Sequence, residues 1–309
     1  MKHVFHYRMG LSALVVFALF MCAGRAQATD ISGIQHATVF LSDDSQLIGD
    51  VTCSVPAGKP CIQFGADHIT LKLNGFTITG MADPTLGCGT NSTTPGAHGG
   101  EDGIDTAGHS YLQILGPGLV QNFRGIGVNV GLTSTKVKVS KLTTSGNCIC
   151  GIGLFGSASD NDVEENVVVR IGQNSSPCGG INIGTNDNRV RRNVVGGNGY
   201  AGGSSSTLNF GINITGMENV VEENVAVGNT NGIRLTSTAI NNVVRRNIVT
   251  GNPPLQDSQT FGAGGVDILD LSTQANTFDD NLCLTSNLAG LCPKVPNFAG
   301  HKNGDDGKH

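Results

Sequence analysis

Between residues 151 and 281 short apolar stretches alternate with a recurrent polar hexapeptide. The apolar stretches are GIGL at 151–154, GINI at 180–183 and again at 211–214, GIRL at 232–235 and GVDI at 265–268. The hexapeptides are NDVEEN at 161–166, NRVRRN at 188–193, NVVEEN at 219–224, NVVRRN at 242–247 and NTFDDN at 276–281. Inside each stretch the positions alternate, Ile181 in and Asn182 out, Ile183 in and Gly184 out, which is the period of a strand and not of a helix. A unit this small cannot bury its apolar face alone, so its repetition predicts a stacked solenoid.

Spacing sharpens this. From the first apolar residue of a copy to its closing Asn the separations are 14, 12, 12, 14 and 15 residues, whereas from that Asn to the next copy they are 15, 19, 9 and 19. Length variation is confined to one connection, as expected when a rigid rung carries its insertions on one face.

Charge follows the same frame. Lys138, Glu164, Arg191, Glu222, Arg245 and Asp279 occupy one position of successive copies and alternate in sign. Parallel strands stacked about 4.8 Å apart would set each charge between two opposite ones. The closing residues Asn166, Asn193, Asn224, Asn247 and Asn281 are read as structural. Asn tolerates the left-handed conformation of a sharp bend, and stacked amides hydrogen-bond between rungs.

These repeats resemble those of right-handed parallel β-helix proteins, the pectin-lyase-like superfamily and its NosD-like group, over roughly residues 60–285. The resemblance implies an all-β, single-stranded right-handed parallel β-helix, and parallel crossovers are biased to that hand. In function it implies less, because lyases, hydrolases, epimerases, adhesins and non-catalytic proteins share the architecture.

Around the repeats the chain divides in four. Residues 1–28 read as a secretory signal: Lys2 and Arg8, an apolar run from Leu11 to Ala23, and Ala26-Gln27-Ala28 before the cleavage point. Residues 29–58 read as an N-terminal cap over the first rung, residues 59–292 as the β-helix, and residues 293–309 as a disordered tail. Nothing beyond the leader is apolar for long enough to span a membrane. The expected location is therefore secreted or periplasmic.

Removing the leader takes away Lys2, Arg8 and Arg25 but no acid, moving the formal charge from −5 to −8. Such a surface disfavours nucleic acid. Eight cysteines remain, an even number that reads as disulfides in an exported chain. Cys53 with Cys61 and Cys283 with Cys292 are the expected local pairs. Cys178 is expected to bond one of Cys148 and Cys150, and Cys88 the other.

Chemistry should sit where outward side chains of the first strand meet the variable connections, a row read here as Asp105, Gly127, Gly153, Asn182, Asn213, Arg234 and Asp267. Asn182, Asn213, Arg234 and Asp267 are the candidates for binding a substrate, with Arg234 and Asp267 read as a surface ion pair. The segment HGGEDGID at 98–105 and nearby His109 supply the acid–base candidates Glu101, Asp102, Asp105 and His109. A lyase of this architecture would want clustered carboxylates for calcium and an Arg or Lys base. Asp105 and Asp267, about six rungs or on the order of 29 Å apart, could not share one ion, and no cofactor is otherwise implied. The resemblance to polygalacturonases directs attention to Asn-Thr-Asp, Asp-Asp, Gly-His-Gly and Arg-Ile-Lys segments. Asn186-Asp187-Asn188 and Asp279-Asp280 are present, but the last two segments are missing. The sequence therefore predicts a protein that binds or presents at a carbohydrate-rich surface, with a polysaccharide lyase or hydrolase as the alternative.

Overall fold

The computed structural model describes residues 28–82, 100–171, 178–198, 210–252 and 265–292. Most of the expected leader, the tail, His98 and Cys88 lie outside them. Every regular element of the described residues is a β-strand, and every pairing between strands is parallel. No helix among them is long and apolar enough to cross a membrane.

Three sheets run along the axis. Sheet I stacks Val39–Leu41, Ile62–Phe64, Ile104–Asp105, Val128–Val130, Ile152–Leu154, Ile181–Ile183, Phe210–Ile214, Asn231–Leu235 and Ile268–Asp270. Sheet II stacks Asp162–Glu164, Arg189–Arg191, Val220–Glu222, Val243–Arg245 and Thr277–Asp279, and sheet III stacks Val167–Val169, Val194–Gly196, Val225–Val227, Ile248–Thr250 and Leu282–Cys283. Sheets II and III merge at the long strand Lys138–Ser145, which pairs with Asp162–Glu164 and Val167–Val169 and in turn with Gln113–Gln121; Gln113–Gln121 and Ser45–Cys53 both pair with Thr70–Lys72 and Thr77–Thr79.

Alternation decides which side chains fill the interior. Ile152, Ile181, Ile212, Ile233 and Ile268 form one vertical column from sheet I. Val163, Val190, Val221 and Val244 form another from sheet II, and Val168, Val195, Ala226, Val249 and Cys283 a third from sheet III. All are fully buried, so the core is a stack of like residues at strand spacing.

The corners are made by three asparagine ladders where one was expected. In one, which starts at Asn166, each of Asn193, Asn224, Asn247 and Asn281 accepts from the backbone N–H and side-chain amide of the Asn one rung below it. A second runs Asn161, Asn188, Asn219, Asn242, Asn276. A third runs Asn198, Asn229, Asn252 and ends on Asp267. The left-handed residue is not the Asn itself but the one before it: Glu165, Arg192, Glu223, Arg246 and Asp280 at the first corner, and Asp160, Asp187, Glu218 and Asn241 at the second. Inward-turned Asn side chains satisfy backbone groups that the bends remove from the ladders, which offsets the cost of about 1–2 kcal/mol for each left-handed residue.

The charge ladder is present from Glu164 upward, with Arg191, Glu222, Arg245 and Asp279 in one register row. Lys138 departs from it. The strand pairs Lys138 with Asp162 and puts Ser140 opposite Glu164. A two-residue slip leaves strand alternation unchanged, so the sequence pattern does not detect it. Lys138 still reaches Glu164 diagonally.

Candidate functional site

The outward row of sheet I, read from the register, is Phe40, Gln63, Asp105, Asn129, Gly153, Asn182, Asn213, Arg234 and Leu269. Asn129 replaces the expected Gly127, and Leu269 replaces Asp267. Asp267 is buried instead at the head of the third asparagine ladder, so it forms no ion pair with Arg234. The slip has the same origin as that of Lys138, because Val266 and Ile268 are equivalent under an alternation of two.

The middle of this row forms a shallow groove of about 420 Å³ lined by Ile149, Phe155, Asn182, Asn213, Thr215 and Arg234, among others. Phe155 stands on the turn after Ile152–Leu154 and folds back over Gly153, where even a methyl group would overlap its ring. An aromatic ring thus occupies the row position that Gly153 leaves open, beside Asn182. The sequence shows a glycine at an outward position two residues before a Phe, but not that the ring folds back over it. One wall carries the disulfide Cys150–Cys178, whose Cα atoms lie 5.4 Å apart, with Ile126, Ile149 and Phe155 packed against it.

Asn182 and Asn213 point outward yet are buried, and Asn213 Nδ2 donates to Asn182 Oδ1 at 2.8 Å. Among the described residues Asn213 Oδ1 has no partner. Next to it the Arg234 guanidinium lies over the Phe210 ring, 4.4 Å from its centroid. Among the described residues no carboxylate pairs with Arg234, and its half-buried position lowers its pKa by desolvation. The groove therefore offers an aromatic edge, two amides and an uncompensated cation in one line.

The acid–base candidates do not converge. Glu101 is bound by Arg124 and accepts from the Gly58 amide. Asp102, only 2% exposed, accepts from the Ile126 amide at 2.7 Å and from Asn129 Nδ2 at 3.0 Å. Asp105 accepts from the Ala107 amide and His109 pairs with Asp67 at 3.0 Å. Burial pushes the Asp102 carboxyl up to about 6 against the Ile126 hydrogen bond, with the Asp105 charge adding to the rise. Burial also raises Asp105. Among the described residues no three His, Cys, Asp or Glu side chains are grouped to hold a metal. Among the described residues the outward row brings a single carboxylate, Asp105.

No family model and no curated protein matches the sequence. Solved structures do. The tailspike protein of Dettilon superposes with a TM-score of 0.54 at 18% identity, over 82% of this chain and 55% of that one. An alginate lyase from Paenibacillus sp. str. FPU-7 gives 0.53 at 14%, over 84% and 89%. A variant tailspike of E. coli bacteriophage HK620, in complex with a pentasaccharide, gives 0.51 at 15%, over 83% and 48%. The fold is the right-handed parallel β-helix. The chain spans about half the length of these two tailspikes and most of the length of the lyase.

Within this β-helix the described cysteines pair largely as the sequence indicates: Cys53 with Cys61, Cys150 with Cys178, and Cys283 with Cys292. Cys148 is also disulfide-bonded. A second aromatic feature lies away from the groove, where His68 and Tyr111 stack at 4.5 Å between ring centroids.

Proposed function

We propose that the protein is exported and binds a glycan along the sheet I groove, with the sugar chain running parallel to the solenoid axis. The observation that carries this reading is the alignment of Phe155, Asn182, Asn213 and Arg234 in consecutive rungs. Rungs about 4.8 Å apart match the scale of a sugar unit. Phe155 offers apolar surface to a sugar ring, the amides pair with hydroxyls, and the uncompensated Arg234 anchors an anionic substituent. Two of the similar folds are a tailspike bound to a pentasaccharide and an alginate lyase, which supports a saccharide as the ligand class. Three disulfides among the described residues support secretion or a periplasmic location.

Binding without turnover is favoured because Glu101, Asp102, Asp105 and His109 are each engaged by a different partner. The test is a glycan array, followed by titration of its hits against Phe155→Ala and Arg234→Ala. Both variants should keep the strand circular dichroism and lose affinity by on the order of tenfold, about 1.4 kcal/mol. Unchanged affinity in both would remove the groove as the site. Unsaturated products or new reducing ends from uronate or neutral glycans, with or without calcium, would establish a lyase or hydrolase instead.

A further inference from the structure

Sheet III presents a face that nothing among the described residues covers. Its outer column runs Thr143, Val167, Val194, Val225, Ile248 and Leu282 over six rungs, and Val167, Val194, Ile248 and Leu282 are exposed. Two residues earlier in each rung stands the corner column Lys141, Glu165, Arg192, Glu223, Arg246 and Asp280, every member exposed and left-handed. Its signs alternate along the axis. Ion pairs link neighbours within it, Arg192 to Glu165 at 3.2 Å and Arg246 to Glu223 at 3.0 Å.

We propose that this face binds a second copy of the chain as an antiparallel, two-fold symmetric dimer. When the two-fold axis lies in the interface and across the solenoid, each column meets its own counterpart in reversed order. An alternating column with an even number of members, read backwards, has the opposite sign at every rung. Lys141 then faces the partner's Asp280, Glu165 the partner's Arg246, and Arg192 the partner's Glu223, while Val167 meets the partner's Ile248 and Val194 the partner's Val225. A parallel dimer would set the charged corner against the uncharged side formed by Val169, Gly196, Val227 and Thr250, and would leave those charges without complement. Six rungs by four residues of strand give about 29 Å by 13 Å, roughly 400 Å² per protomer against about 800 Å² in a standard interface. The dimer is consequently weak and concentration-dependent.

Sedimentation equilibrium of the mature chain from micromolar to millimolar concentration should show a monomer–dimer equilibrium, and Val194→Lys or Ile248→Lys should abolish it without changing the circular dichroism. Orientation is read by cross-linking. Thr143→Cys mixed with Leu282→Cys should give a disulfide-linked dimer, and Leu282→Cys alone should not. A charge test separates the interface from the ladder inside each chain. Glu165→Arg should dissociate the dimer, and adding Arg246→Glu should restore it although neighbouring like charges now weaken the monomer. Monomer at millimolar concentration, self-linking of Leu282→Cys, or no recovery in the double variant would each overturn the proposal.

Discussion

Glu222 and Arg245 stand 23 residues apart in the chain and one rung apart in space, Arg245 Nη2 lying 2.7 Å from a carboxylate oxygen of Glu222. Arg189 and Arg246 reach the same carboxylate at 2.7 and 2.8 Å. Glu222 is 3% exposed and its partners are substantially exposed, so solvent screens the cations but not the acid. Glu222→Lys should therefore cost about 2–4 kcal/mol and lower the melting temperature. Adding Arg245→Glu should restore only part of this, since Arg189 and Arg246 keep one sign. A double variant no more stable than the single one would deny the register.

The buried acids respond to pH in opposite directions. Burial alone would raise Glu222 and Glu164, but hydrogen bonds and charge, from Arg245 and Arg189 for the first and from Lys138 for the second, outweigh it and hold both below the usual carboxylate range. Their contribution is complete above an unfolded pKa of about 4.3 and is lost as pH falls through the lower folded values. Asp102, raised to about 6, behaves inversely. Its folded state holds the proton more tightly, so stability is lost as pH rises from about 4 to about 6. Asp102→Asn should accordingly stabilise the protein at pH 8 by on the order of 1–2 kcal/mol and change it little at pH 4. The new amide can donate to Asn129 Oδ1, which has no partner among the described residues, once that side chain turns. Denaturant melts of both proteins at the two pH values provide the comparison, and equal differences at both would refute the assignment.

Gly153 matters through what it leaves out. A side chain there would displace the Phe155 ring from the row, yet Phe155 is only partly buried and contributes modestly to the core. Gly153→Ala should lower stability by about 1 kcal/mol or less and weaken glycan binding as much as Phe155→Ala does. Calorimetric titration beside a thermal melt separates the two effects.

How much of this was legible differs between fold and site. The hexapeptides from Asn161 to Asn281 disclose the stacking because each charge sign and each Asn recurs where the neighbouring rung requires it. The third asparagine ladder was equally visible in Gly197-Asn198, Gly228-Asn229 and Gly251-Asn252, where the glycine supplies the left-handed bend. Lys138 and Asp267 were misplaced because an alternation of two cannot distinguish registers two residues apart. The groove was half legible. Asn182, Asn213 and Arg234 fall on the row by counting, whereas a ring folding back over Gly153 depends on tertiary packing that no local period encodes.

Asp267 shows why the third ladder ends in an acid. Every Asn below it accepts on one side and donates on the other, but Asp267 Oδ1 accepts from Asn252 Nδ2 at 2.8 Å while Oδ2 accepts from the Leu284 and Thr285 amides at 2.9 and 3.1 Å. Donors surround the carboxylate on both sides, so an amide in its place would point an N–H group at other N–H groups. Asp267→Asn, although isosteric, should cost about 1–3 kcal/mol and loosen the last rung. The converse change one rung lower, Asn252→Asp, should also destabilise. It sets a carboxylate oxygen against Asp267 Oδ1 and the Ala226 carbonyl, which Asn252 Nδ2 now binds. Amide hydrogen exchange at Leu284 and Thr285 should accelerate in Asp267→Asn ahead of global unfolding, and unchanged protection there would show that the acid does not cap the ladder.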